Sequence, residues 1–256
     1  MKTKALFLVL LCSGLMTLSS CDLGGVLNSD PWGDLVNETS NDVQINGNTL
    51  TYGDHVYTMT GELNYESTDY KNPTAFVTFT NVPSGYKEFE AVYNNLLGKT
   101  PQGVAAMIPM ALEIYARDNS TGERCLKLLC NSDANVTEIL RVVKQKLVAS
   151  KYGPENDQYI QRYMPAALLK GAYNKNAYTP DEPYTVEMCT SPNGIQEAPL
   201  TGGTVYFLFI LADGWDTYQR SVEIFQPYNS NVYKVFNCPS TYSQCKNIIG
   251  TWSGLK

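Results

Sequence analysis

The hydrophobic spacing of this chain changes period twice, and that order limits the fold more than any single motif. Apolar residues alternate in short runs between positions 43 and 80, recur every three or four positions from 84 to about 169, and return to strand-like runs after Gly171. Strands, then helices, then strands describe an α+β architecture. The expected form is N-terminal β-hairpins, then three to four helices packed on a C-terminal antiparallel β-meander.

Asn46-Gly47, between two short alternating runs, is a strong hairpin cue. Further strands are expected over 56–65 and 74–80. Phe89, Val92, Tyr93, Leu96 and Leu97 then form a helical stripe over 84–97, ended by Gly98. Thr100 and Pro101 provide an N-cap and a first helical residue for a second helix, which Pro109 should kink or split. Asn135 with Glu138 has capping-box spacing for a third, running to Leu147. A shorter piece interrupted by Pro165 is expected over 157–169. Four strands follow, over 184–190, 204–212, 218–226 and 231–237, with the continuous run 205–212 as a central strand covered on both faces.

The first twenty-one residues carry an address. Lys2 and Lys4 precede a short apolar run, and Leu18-Ser19-Ser20 precede Cys21. The apolar run is too short for a permanent membrane helix and reads as a cleaved export signal. It resembles the lipobox of bacterial lipoproteins, which implies a lipid on Cys21 and a membrane partner reached through that lipid. The expected location is the bacterial cell envelope, at the outer membrane, facing either the periplasm or the surface. Residues 1–20 are thus a signal peptide and 21–42, rich in Gly, Asn, Ser and Asp, a flexible tether. Residues 43–82 form a small β-rich segment and 84–256 an α+β domain.

Loss of residues 1–20 removes Lys2 and Lys4 and no acid, taking the formal charge from −6 to −8. A surface that acidic argues against nucleic acid as a partner. Cys125, Cys130, Cys189, Cys238 and Cys245 remain beyond Cys21; Cys125 with Cys130, or Cys238 with Cys245, has the spacing to close a small loop. No CxxC pair and no clustered ligand set points to a metal or cofactor, and none is expected. His55 is the only histidine, in a polar turn, which removes most imidazole-dependent catalysis.

From about Phe89 onward the chain resembles an uncharacterised domain family of exported gut-bacterial lipoproteins. Thr100-Pro101-Gln102-Gly103-Val104-Ala105-Ala106, Ala111-Leu112-Glu113-Ile114-Tyr115, Lys170-Gly171-Ala172, Tyr178-Thr179-Pro180 and Pro183-Tyr184-Thr185-Val186 carry the resemblance. It implies no established activity. The order of helices then sheet also looks like nuclear transport factor 2-like or cystatin-like folds, which host both enzymes and inert modules.

Two segments are candidate binding elements. Asp213-Gly214-Trp215-Asp216-Thr217-Tyr218 sets aromatics beside carboxylates at a hairpin tip, where Trp215 either stacks on a sugar or partner or folds back into the core. The loop 172–184 holds Tyr173, Tyr178 and Tyr184 around Asp181 and Glu182, with Pro180 and Pro183 stiffening it, and serves as a ligand loop or a plain connector. Glu113, Asp118, Asp181, Glu187, Asp213, Asp216 and Glu223 are the acids from which a carboxylate pair would have to come. Ser243-Gln244-Cys245-Lys246 has SxxK spacing without its companion motifs, and Thr201-Gly202-Gly203-Thr204 lacks the phosphate-loop pattern. No catalytic residue is therefore assigned. The favoured function is a lipid-anchored, non-enzymatic module binding a glycan, peptide or protein, with a carboxylate-dependent hydrolase of envelope or dietary polymers as the alternative.

Overall fold

The computed structural model describes residues 43–148 and 160–256; the segments expected to be a signal peptide and a tether, with Cys21, lie outside the described residues. Eight strands form one antiparallel sheet in chain order: β1 (Val43–Asn46), β2 (Thr49–Tyr52), β3 (His55–Gly61), β4 (Ala75–Phe79), β5 (Tyr184–Ala198), β6 (Gly203–Leu211), β7 (Gln219–Pro227) and β8 (Lys234–Asn237). The helices α1 (Tyr86–Asn95), α2 (Pro101–Arg117), α3 (Asn119–Leu129) and α4 (Asp133–Leu147) fall between β4 and β5. The expected α+β class holds. The two segments expected at 43–82 and 84–256 share one sheet, because β4 pairs directly with β5 across the helical insertion, Val77 opposite Val186.

Register explains which face is buried. Side chains alternate across a strand, so pairing in register stacks Leu50, Tyr57, Phe79 and Tyr184 in one row and Met59, Val77 and Val186 in the next, all buried in the common core with the helices. The opposite face carries Thr58, Thr78, Phe207 and Phe209, which are only partly buried. The run 205–212 is a central strand closed on the helix-side face, where Leu208 and Ile210 are fully buried, and only partly covered on the other, where Val205 and Leu211 are buried but Phe207 and Phe209 are half-buried. In the first hairpin Asn46 pairs with Thr49, leaving Gly47-Asn48 as the two loop residues.

The helix α2 runs through the core, with every residue from Gly103 to Tyr115 buried. Thr100 Oγ1 accepts the Gly103 N–H at 3.1 Å and Pro101 opens the first turn, as the sequence indicates. Pro109 does not divide the helix. Its ring removes one backbone bond and costs about 3 kcal/mol, but burial of the residues on either side offsets that cost. The helix α3 was not expected. Asp118 caps it by accepting the Ser120 and Thr121 N–H groups, and it buries Gly122, Cys125, Leu126 and Leu129. A Cβ on Gly122 would lie 2.1 Å from Tyr115 Cα, so only glycine allows α3 to lie this close to α2. The cap of α4 is Ser132, whose hydroxyl accepts from Asn135 N at 3.3 Å; Asn135 sits within the first turn instead of before it. The piece expected over 157–169 reduces, in its described part, to a single 3-10 turn at Ala166–Leu168. All five described cysteines are free and buried, so neither small disulfide loop forms.

Candidate functional site

The turn from Asp213 to Tyr218, between β6 and β7, is held by a facing irregular segment near the C-terminus. Lys246 N donates to Gly214 O at 2.8 Å and Trp215 Nε1 donates to Ser243 O at 3.3 Å. Tyr178 stacks on Tyr163 with centroids 4.6 Å apart, and its hydroxyl donates to Lys246 O at 2.6 Å. The Gln161 side chain clamps Cys245, donating to its carbonyl at 2.7 Å and accepting its N–H at 2.9 Å. A Cβ on Gly214 would approach Ala167 Cβ to 2.7 Å and Tyr178 Cε1 to 3.2 Å, so the turn fits against the core only as glycine. Both walls are therefore fixed by hydrogen bonds to backbone groups, independently of any ligand.

Between these walls lies a cavity of about 500 Å³ lined by Trp215, Asp216, Thr217, Arg220, Gln244, Cys245, Lys246 and Asn247. The Arg220 guanidinium lies over the Trp215 ring, 4.9 Å from its centroid. Its buried Nε has no hydrogen-bond partner among the described residues, and desolvation pulls its pKa below the usual arginine value. Lys246 meets Asp216 at 3.6 Å, a solvent-facing pair whose acid is 98% exposed. The Cys245 thiol is pushed up to about 11 by burial, so it is protonated at neutral pH and unsuited to nucleophilic attack. Ser243 Oγ donates to Ser240 O at 3.0 Å instead of facing Lys246, which leaves the SxxK spacing without its geometry.

Of the residues singled out for binding, the structure buries three. Trp215 is 5% exposed, one indole face is occupied by Arg220, and it cannot serve as an open sugar platform. Tyr178 is fully buried and Tyr184 is 3% exposed, its hydroxyl accepting Lys256 N at 2.8 Å; both are core. Asp213, Asp216 and Tyr218 remain open to solvent at the turn. Burial raises the Tyr218 pKa, with Glu187 and Asp213 adding to it.

The candidate acids do not form a catalytic pair. Glu113 is buried but takes Arg117 Nε and Arg162 Nη1, both at 2.9 Å. Asp118 is a helix cap, and Glu187 binds Lys170 at 2.8 Å. Glu223 is raised by burial, and its partner is the neutral Asn237 amide at 3.3 Å. Among the described residues no group of three or more His, Cys, Asp and Glu is arranged to hold a metal.

His55 has a role its turn sequence does not announce. Its Nδ1 lies 2.6 Å from Glu88 Oε1, which also accepts the Tyr57 hydroxyl at 2.6 Å, while Glu88 Oε2 accepts both the N–H and the hydroxyl of Ser84. Glu88 is 2% exposed and its oxygens are filled by these contacts, which bind α1 to β3 and leave no free acceptor for chemistry.

No curated protein and no solved structure matches this chain. Residues 81–249 match the model of a domain of unknown function, DUF6935, whose span takes in the helices, β5 to β8 and both walls of the cavity. That match extends over more than half of the sequence, and the chain belongs to the DUF6935 family.

Proposed function

We propose that this protein is a lipid-anchored cell-envelope binding module, tethered through Cys21 and recognising its ligand in the cleft between the Asp213–Tyr218 turn and Gln244–Asn247. The observation that carries this reading is the preformed cavity. About 500 Å³ falls within the range of small-ligand sites, and its walls are held by Gln161, Tyr178 and Gly214 whether or not anything is bound. Preorganisation of that kind lowers the entropic cost of binding. The lining offers hydroxyl, amide and cationic groups with no activated nucleophile, which favours recognition over hydrolysis.

The test is a glycan and peptidoglycan-fragment array probed with the chain and with Lys246→Glu. Trp215 is a poor probe, because removing a buried indole costs about 3–5 kcal/mol of stability and would confound binding with unfolding. Ligand captured by the parent and lost in Lys246→Glu supports the reading. Capture that survives the substitution, or no capture by either, overturns the assignment of this cleft. For the anchor, Cys21→Ala should move the protein into the soluble fraction, and continued membrane association would refute it.

A further inference from the structure

The cleft is polar, but its charges are not balanced, and that imbalance names a ligand class. Arg220 lines the cavity on β7, drawn against the Trp215 ring, and meets no carboxylate among the described residues. Lys246 stands on the opposite wall. Asp216 is the acid that lines the cavity, and it spends its charge at the solvent-facing rim beside Lys246 at 3.6 Å. A partly desolvated guanidinium without a counter-ion is unfavourable in the free protein. An arriving oxyanion relieves that penalty and gains charge-assisted hydrogen bonds from a planar donor fork.

Because Arg220 already covers one face of Trp215, a neutral sugar ring gains little there by stacking. Gln244, Asn247 and Thr217 supply amide and hydroxyl partners for the remainder of a ligand. Resting on the assignment of this cleft as the binding site, we propose that its ligand is an oxyanion-bearing small molecule or glycan terminus, with Arg220 as the counter-charge and Lys246 as the rim cation. The favoured form is a carboxylate carried on a sugar, since the cavity has room beyond the anion for groups that meet the amides. A small phosphate shares the same anion chemistry.

Calorimetric titration of the full chain in detergent separates these cases, using trigalacturonate, its neutral methyl ester and inorganic phosphate. Trigalacturonate should bind, the methyl ester should bind at least about ten-fold more weakly, and Arg220→Gln should lower trigalacturonate affinity roughly thirty-fold. Lys246→Ala, a surface change that keeps the fold, should lower it about three-fold and flatten its salt dependence. Phosphate binding with the same dependence on Arg220 and Lys246 also supports the oxyanion site and identifies phosphate as its source. Equal binding of acid and ester, or anion affinity untouched by both substitutions, overturns the proposal. So does absence of binding by both anions. If the array shows Lys246-dependent capture of neutral ligands only, the cleft stands as the binding site and the anion inference alone falls.

Discussion

Arg162 and Arg220 are both drawn against an indole, Arg162 over Trp252 at 5.1 Å and Arg220 over Trp215 at 4.9 Å, yet their electrostatic surroundings are opposite. Arg162 reaches Glu113 through both terminal nitrogens, at 2.9 and 3.2 Å, and Arg117 adds a third bond to the same carboxylate before turning to the carbonyl of Leu255. That knot closes the end of α2 onto the last residues of the described chain. Arg220 has the same aromatic shelf and no acid among the described residues. A cation placed for structure is given its counter-charge within the fold. In our proposal one left without it, on the wall of a cavity, takes its complement from a ligand, and this contrast separates the two arginines.

The sharpest way to break the comparison is to remove the shared carboxylate of the structural knot. Glu113→Gln should destabilise the protein by about 3 kcal/mol, since it leaves two arginines facing each other beside a buried amide. Urea unfolding would measure this, and a loss below about 1 kcal/mol would mean the knot is not holding the chain end. Arg162→Gln should cost less, about 1.5 kcal/mol, because its side chain is 28% exposed and Arg117 still serves Glu113. Arg220→Gln should change stability by less than about 1 kcal/mol, the lost contact with Trp215 being offset by relief of desolvation. If Arg220→Gln proved as damaging as Arg162→Gln, Arg220 would be a structural cation and the cleft would lose its claim.

This distinction was not legible in the sequence, although much of the scaffold was. Thr100-Pro101 announces α2 because capping is decided by neighbours within one turn, and the alternation of β4 is a local property of the chain. The helix α3 is hard to read from sequence because its opening, Asn119-Ser120-Thr121-Gly122, has low helix propensity, although Asp118 and the spacing of Gly122, Cys125, Leu126 and Leu129 are signals for it. Asn135 misled by one turn, since Ser132 offers an equally good cap three residues earlier. The site is harder. Trp215, Arg220 and Lys246 come from a turn, a strand and an irregular segment, and whether Trp215 faces water depends on Ser243 and Arg220, which no local pattern pairs with it. The same holds for His55 and Glu88, thirty-three residues apart, whose contact depends on α1 packing against the first strands.

The contrast extends to acids, where the expected effect is smallest and changes sign. Glu113 is buried with two cations, whereas Glu223 is partly buried opposite the neutral Asn237 amide, and burial raises its pKa above the ordinary carboxylate value. A raised folded-state value means that the folded protein holds this proton more tightly than the unfolded chain does. The associated stability is present below the unfolded carboxylate pKa, about 4.3, and is lost as pH rises through the folded value. At neutral pH ionised Glu223 is therefore a liability, and Glu223→Gln, which keeps a partner for Asn237, should raise the urea midpoint slightly at pH 7. The gain should vanish near pH 4, where the native carboxyl is largely protonated. Comparing the two proteins at each pH removes the contribution of every other titrating group. A variant less stable than the parent at pH 7, or a difference that does not change with pH, would show that Glu223 is compensated in the way Glu113 is.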